Sequence, residues 1–189
     1  MSPELQQICD DFRAELAGRT RSWCQLHPRD DDRQWSAQQL IEHLVLAMRT
    51  SSRVLESRVR RGRAAQSQPT LLERALRFLI LARRRMPRGA AAPPFVRPGI
   101  LCWPPMDGAE LSDLLRQEAE TMDQLLLRCT ELFGRRPAAT HFLLGPLRPD
   151  QWRLFHVIHG RHHFQQLRRI EREAGQDSAA QNDLISAEQ

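Results

Sequence analysis

The sequence predicts an all-α fold, a mainly antiparallel helical bundle, on three observations. Apolar residues recur at spacings of three and four in every segment long enough to show a period. No run keeps the period-two alternation of a strand. The helical stretches are separated by R-R-G-R-A-A-Q-S-Q-P and by P-R-G-A-A-A-P-P-F-V-R-P-G-I-L-C-W-P-P, in which proline removes amide donors and glycine loosens the backbone.

In order, about Pro3 to Arg21 reads as a first helix, with Leu5, Ile8, Cys9, Phe12 and Leu16 on one face and Pro3 suited to a first turn. The polar loop H-P-R-D-D-D-R-Q follows, with His27 biased to an extended backbone by Pro28. Ser36, with Gln39 three residues on, is a capping box that opens a long helix to about Arg60. That helix has an inward stripe of Leu40, His43, Leu44, Ala47, Ser51, Val54 and Leu55. Thr70 to Met86 is an extra short helix with Leu72, Ala75, Leu76, Leu79 and Met86 turned inward. The Pro-rich passage Pro87 to Pro105 is too apolar for a simple linker and is expected as an ordered crossover anchored by Phe95, Ile100 and Trp103. Asp107 to Leu132 is the next long helix, with Gly134 as its C-cap. After a short loop containing His141, Pro149 opens the last helix.

At 189 residues the chain suits one domain, expected over 1–175 with a polar, partly disordered tail over 176–189. Apolar content of 41% and charged content of 27% are those of a soluble globular protein, and no run approaches a membrane span. The opening M-S-P-E-L-Q-Q-I-C-D-D lacks the order of a secretory signal, and Cys9, Cys24, Cys102 and Cys129 are too dispersed for a disulfide framework or zinc knuckle. A cytoplasmic protein is expected. The net charge of +5 comes with 28 basic residues that are all arginine. The clusters Arg58/Arg60/Arg61/Arg63 and Arg83/Arg84/Arg85/Arg88 stand at helix ends, where cations complement the macrodipole. With no interleaved aromatic residue to stack on bases, nucleic acid is not the expected partner.

Pro149 to Arg172 concentrates the chemistry, with four of the seven histidines. At 100° per residue, Trp152, His156, His159, His163, Gln166 and Ile170 share one inward stripe, and His162 lies to one side. Imidazoles four apart on a helix face can hold one transition-metal ion, which makes His159 and His163 a ligand pair. An open catalytic zinc or nickel site needs three protein ligands, and His43, on an apolar face of another helix, is the natural third. His156, one turn before His159, is the candidate catalytic base. His162 and Gln166 are candidates to orient ligands, and His141 is a candidate orienting group or loop staple.

The stretches W-S-A-Q-Q-L-I-E-H-L and H-F-L-L-G-P-L-R-P-D-Q-W-R-L-F-H-V-I-H-G-R-H-H-F-Q-Q-L resemble the DinB/YfiT-like superfamily of metalloenzymes, in particular an uncharacterised branch of it, over about Trp35 to Leu167. The resemblance implies a four-helix bundle with a three-histidine site at His43, His159 and His163. It also implies a divalent ion such as zinc or nickel, a low-molecular-weight thiol as co-substrate and a homodimer. The expectation is therefore a divalent-metal-dependent enzyme acting on a small molecule, either a thiol-dependent S-transferase or a hydrolase. The alternative is a non-catalytic bundle that binds metal or ligand.

Overall fold

The computed structural model describes residues 1–28, 34–87, 89 and 91–187, with the backbone alone over 174–187. The centre of the acidic loop after Pro28, Arg88 of the second arginine cluster and the side chains of the polar tail lie outside the described residues.

The described chain is mostly helical with one small sheet. Helix α1 spans Pro3–Leu16 and α2 spans Arg21–Gln25, capped by the Thr20 side chain. Helix α3, Ala37–Arg61, begins at the capping box that Ser36 and Gln39 announce, with both reciprocal hydrogen bonds made. Helix α4, Leu71–Arg77, passes into a π-helical turn at Phe78–Ala82. A short 3-10 turn at Pro94–Val96 lies within the crossover, and α5, Gly108–Phe133, starts at an Asp107/Glu110 capping box. Strands β1, Ala139–His141, and β2, Gly145–Leu147, pair antiparallel, with Ala139 opposite Leu147 and His141 opposite Gly145. Helix α6, Pro149–Ala187, ends the described chain.

Three expectations need correction. The crossover is anchored by buried Val96 and by Trp103, which packs on the core, whereas Phe95 and Ile100 are 47% and 52% exposed. The fold is not purely helical, because the loop before α6 is a hairpin. Its three-residue strands are too short to display alternation, and it is held by local bonds instead. The short helix after Thr70 also turns a different face inward. Leu72 and Leu79 are 69% and 49% exposed, while Ile80 and Leu81 are buried and Leu76 and Met86 pack on the core. Helix α4 itself buries none of its residues, and the π turn then inserts a residue into the helical repeat, so a stripe read at 3.6 residues per turn loses register from Phe78 onward.

Helix α5 packs against α1, α3 and α6, and α6 packs in turn on α1 and α3. The shared core includes Phe12, Leu40, Leu44, Leu115, Met122 and Leu126, all buried. An ion pair on a buried carboxylate fixes the relative heights of three elements. Asp123 on α5 accepts from Arg153 Nε on α6 at 2.6 Å and from the Ser2 amide before α1 at 2.8 Å. Among the described residues no helix is long and apolar enough to cross a membrane.

Gly160 of α6 lies tight against α1, since a Cβ there would lie 2.8 Å from Ile8 Cγ2. Alanine in a helix interior normally gains about 1 kcal/mol over glycine. Here the obstacle is a buried, β-branched methyl that cannot swing away, and overpacking costs about 1–3 kcal/mol. Gly160→Ala is therefore expected to lower the urea midpoint; a raised midpoint would show that α1 yields without cost.

Candidate metal centre

The site is assembled from two helices and braced by the crossover. His43 sits on the inward face of α3 between buried Leu40 and Leu44, and His159 and His163 occupy successive turns of α6. The three rings are 4%, 6% and 5% exposed. Their Nε2 atoms converge: His159 Nε2 lies 3.1 Å from His43 Nε2 and 3.0 Å from His163 Nε2. One ligand atom from each residue lies within 4.8 Å of the others, so this buried group could bind a metal ion.

The other ring nitrogens decide which lone pairs point inward. His43 Nδ1 is 2.7 Å from the Val96 carbonyl oxygen, which only accepts, so Nδ1 carries the hydrogen and Nε2 keeps its lone pair. His163 Nδ1 donates in the same way to Gln166 Oε1 at 2.7 Å, while Gln166 Nε2 faces His162 Nε2 at 3.3 Å. Burial lowers the pKa of all three rings. His43 is lowered by burial and His163 to about 3, chiefly by burial and then by the neighbouring rings, and His159 lies well below the ordinary value for the same reasons. The rings are neutral at pH 7. At least two lone pairs are thus aimed at one point, and a cation placed there would turn their repulsion into attraction. His159 Nδ1 is buried without a hydrogen-bond partner among the described residues, which leaves Nε2 as this ring's polar contact with its neighbours.

Aromatic rings wall the cluster. Trp35 lies 4.9 Å from His43 and is stacked 6.1 Å from His163, and Phe155 stacks on His159 at 5.5 Å between centroids. The three histidines line a cavity of about 940 Å³ bounded by α3, α6, the crossover and the hairpin. Phe95 and Phe142, in edge contact at 5.4 Å, form part of its wall, and Arg97 and Arg169 contribute charge. The size is within the range of small-molecule sites.

Other histidines named from the sequence stand outside the three-ring cluster. His156 is 1% exposed and is not among the residues lining the cavity. Its Nε2–H donates to Ser51 Oγ at 3.0 Å, and the Ser51 hydroxyl in turn donates to the Ala47 carbonyl at 2.8 Å. His141 lines the cavity but accepts the amides of Leu143 and Leu144 on Nδ1, at 3.1 and 3.2 Å, and so staples the hairpin turn. His27 Nδ1 meets the Gln34 carbonyl at 2.6 Å, and His162 joins the network through Gln166. Burial pushes the Cys9 and Cys129 thiols up to about 11, so neither is a ready thiolate. Sequence reasoning missed Trp35 and the Val96 carbonyl. Trp35 falls just before the Ser36 cap, where helical periodicity says nothing, and a backbone carbonyl carries no sequence signal.

A family model described as "Protein of unknown function (DUF1569)" matches residues 109–170, a segment that includes His159 and His163 but not His43. No curated protein and no solved structure matches the chain. The resemblance to the DinB/YfiT-like superfamily is overturned by this match: DUF1569 is a distinct family, and nothing links the chain to DinB/YfiT. An H-x-x-x-H pair on an amphipathic helix follows from ligand geometry, which unrelated scaffolds satisfy in the same way. The chain is thus similar, over α5, the hairpin and most of α6, to a family whose function is unknown.

Proposed function

We propose that the protein is a metal-dependent enzyme that binds a divalent transition ion, zinc or nickel, through His43, His159 and His163 and acts on a small molecule held in the adjoining cavity. The convergence of three buried, neutral imidazoles on one point beside that cavity carries the reading. Three nitrogen ligands match an open zinc or nickel site, in which further positions face water or substrate. On this reading α1, α3, α5 and α6 act as a four-helix bundle with the ion between α3 and α6. Four unpaired cysteines suit the reducing cytoplasm.

When bound, such an ion keeps its charge on neutral ligands and lowers the pKa of an attached water or thiol toward about 7. The protein's own groups do the rest. Val96 and Gln166 hold two ligand rings in the binding tautomer, and Trp35 and Phe155 exclude bulk water from the ring faces. His156 is read as a positioning group that ties α6 to Ser51 of α3, because its Nε2–H is committed there. Hydrolysis is the favoured reaction class. The thiol co-substrate came from the corrected resemblance, whereas hydrolysis needs only water at the ion and a substrate in the cavity.

The test is elemental analysis of tag-free protein, followed by zinc and nickel titration. One ion per chain is expected, and its removal by a chelator should leave a folded apoprotein. Unfolding on chelation would assign the ion a structural role, and failure to bind any divalent ion would overturn the proposal.

A further inference from the structure

The crossover is bound to α3 at two adjacent positions with opposite polarity. Glu42, 4% exposed, accepts two crossover amides on a single oxygen: Gly99 N–H at 2.9 Å and Leu101 N–H at 3.3 Å. Gly99 has φ +88, a left-handed conformation that turns nearby amides toward one point and that residues with a Cβ rarely adopt. His43, the next residue of α3, reaches the same strap and donates Nδ1–H to the Val96 carbonyl at 2.7 Å. Only Arg97 and Pro98 separate Val96 from Gly99, so the carboxylate anchor limits how far the carbonyl can move.

We propose that Glu42 is a positioning residue for the three-histidine site: by pinning residues 99–101 it holds the Val96 carbonyl against His43 Nδ1 and so directs His43 Nε2 at His159. This inference rests on the metal-site reading above. Helical geometry places the Glu42 side chain about 100° from that of His43, so it acts through the backbone of the strap and not by touching an ion. Without the carboxylate, two amides lose their acceptor, the 94–101 segment is released from α3, and the His43 ring can exchange its Nδ1–H for the other tautomer.

A built-in control exists one turn earlier on α3. Gln38 also binds the crossover, donating Nε2–H to the Pro104 carbonyl at 3.2 Å and accepting the Met106 amide at 2.8 Å. This attachment lies beyond the strap and makes no contact with the Val96 carbonyl. Loosening the crossover there should leave His43 oriented.

The experiment uses the full chain and compares Glu42→Ala, Glu42→Gln and Gln38→Ala with the unsubstituted protein. Nitrogen-15 NMR of the apoprotein reads the His43 Nδ1–H, and competition titration with zinc reads affinity. Glu42→Ala is expected to lose the Nδ1–H signal and to bind zinc about 10–100-fold more weakly, the usual effect of losing an outer partner of a ligand. Glu42→Gln, which retains an acceptor oxygen for the two amides, should stay close to the unsubstituted protein in both readouts. Gln38→Ala should retain the signal and the affinity even if its melting temperature falls. Retention of the Nδ1–H and full affinity in Glu42→Ala, or equal losses in Gln38→Ala, overturns the positioning role. If the unsubstituted protein binds no metal, the metal-site reading fails, while the NMR comparison still decides whether Glu42 sets the His43 tautomer. Should Glu42→Ala not fold, Glu42→Gln against Gln38→Ala keeps the comparison, and loss of the signal in the glutamine variant would then count against the acceptor mechanism.

Discussion

His159→Ala is expected to lose stoichiometric binding of zinc or nickel while remaining folded. His159 is the central member of the cluster, with its Nε2 within hydrogen-bonding distance of both other Nε2 atoms, at 3.1 and 3.0 Å. Removing it leaves two ligands on different helices, short of the three an open site requires. The loss should exceed the 10–100-fold typical of an outer partner, so more than about 100-fold. The cost in stability should be small by comparison. The ring's Nδ1 has no partner and the ring already borders the cavity, so its removal enlarges an existing space in which water can replace it against the Nε2 atoms of His43 and His163. A change of about 1 kcal/mol would move the melting temperature of a chain this size by about 2–4 °C. His27→Ala, whose ring binds the Gln34 carbonyl outside the cluster, should bind metal normally. Undiminished binding by His159→Ala would place the ion elsewhere.

Acid should destabilise the metal-free protein well above the carboxylate range. Burial holds the His141 and His156 pKa down to about 4 and about 3, against about 6.5 in an unfolded chain. As pH falls below the unfolded value, the unfolded chain takes up protons that the folded chain refuses. The stability is therefore full above about pH 6.5 and declines toward the folded values, by roughly 1 kcal/mol per pH unit for each ring. Protonating His141 also removes the acceptor of two hairpin amides. The three site rings shift in the same direction through burial. Glu15 acts oppositely, its carboxyl raised to about 7 by burial and by Glu171, but Glu171 is lowered in turn through its bond to Glu15. One opposing carboxylate does not offset five histidines. Urea midpoints measured in chelator should begin to fall near pH 6.5, and a midpoint constant from pH 8 to pH 5 would contradict this account.

How much of this was legible depended on how local each cause is. The helical stretches, the Ser36/Gln39 capping box and the His159/His163 spacing follow from rotations and hydrogen bonds within a few residues, and the structure contains all three. The inward face after Thr70 was misread beyond Arg77 because the π turn at Phe78–Ala82 breaks the period on which such a reading depends, whereas Leu72 precedes that turn and is exposed on a short helix that buries none of its residues. The hairpin was missed because three-residue strands carry no alternation, and its staple, His141, could not be distinguished from an orienting group without the turn around it. The lineage was misjudged because ligand spacing reports chemistry and not descent.

The sequence by itself determined that the chain is mostly helical and that two histidines on one face of the last helix stand a turn apart, since both follow from a fixed 100° rotation per residue. It also singled out His43 as a candidate third ligand. Only the tertiary structure decided that His43 meets His159 across 116 residues of chain, that the Val96 carbonyl sets its tautomer, and that His156 points instead to Ser51. Those outcomes depend on how helices and crossover pack against one another, and that packing is the sum of many long-range contacts, none of which is written in the spacing of neighbouring residues.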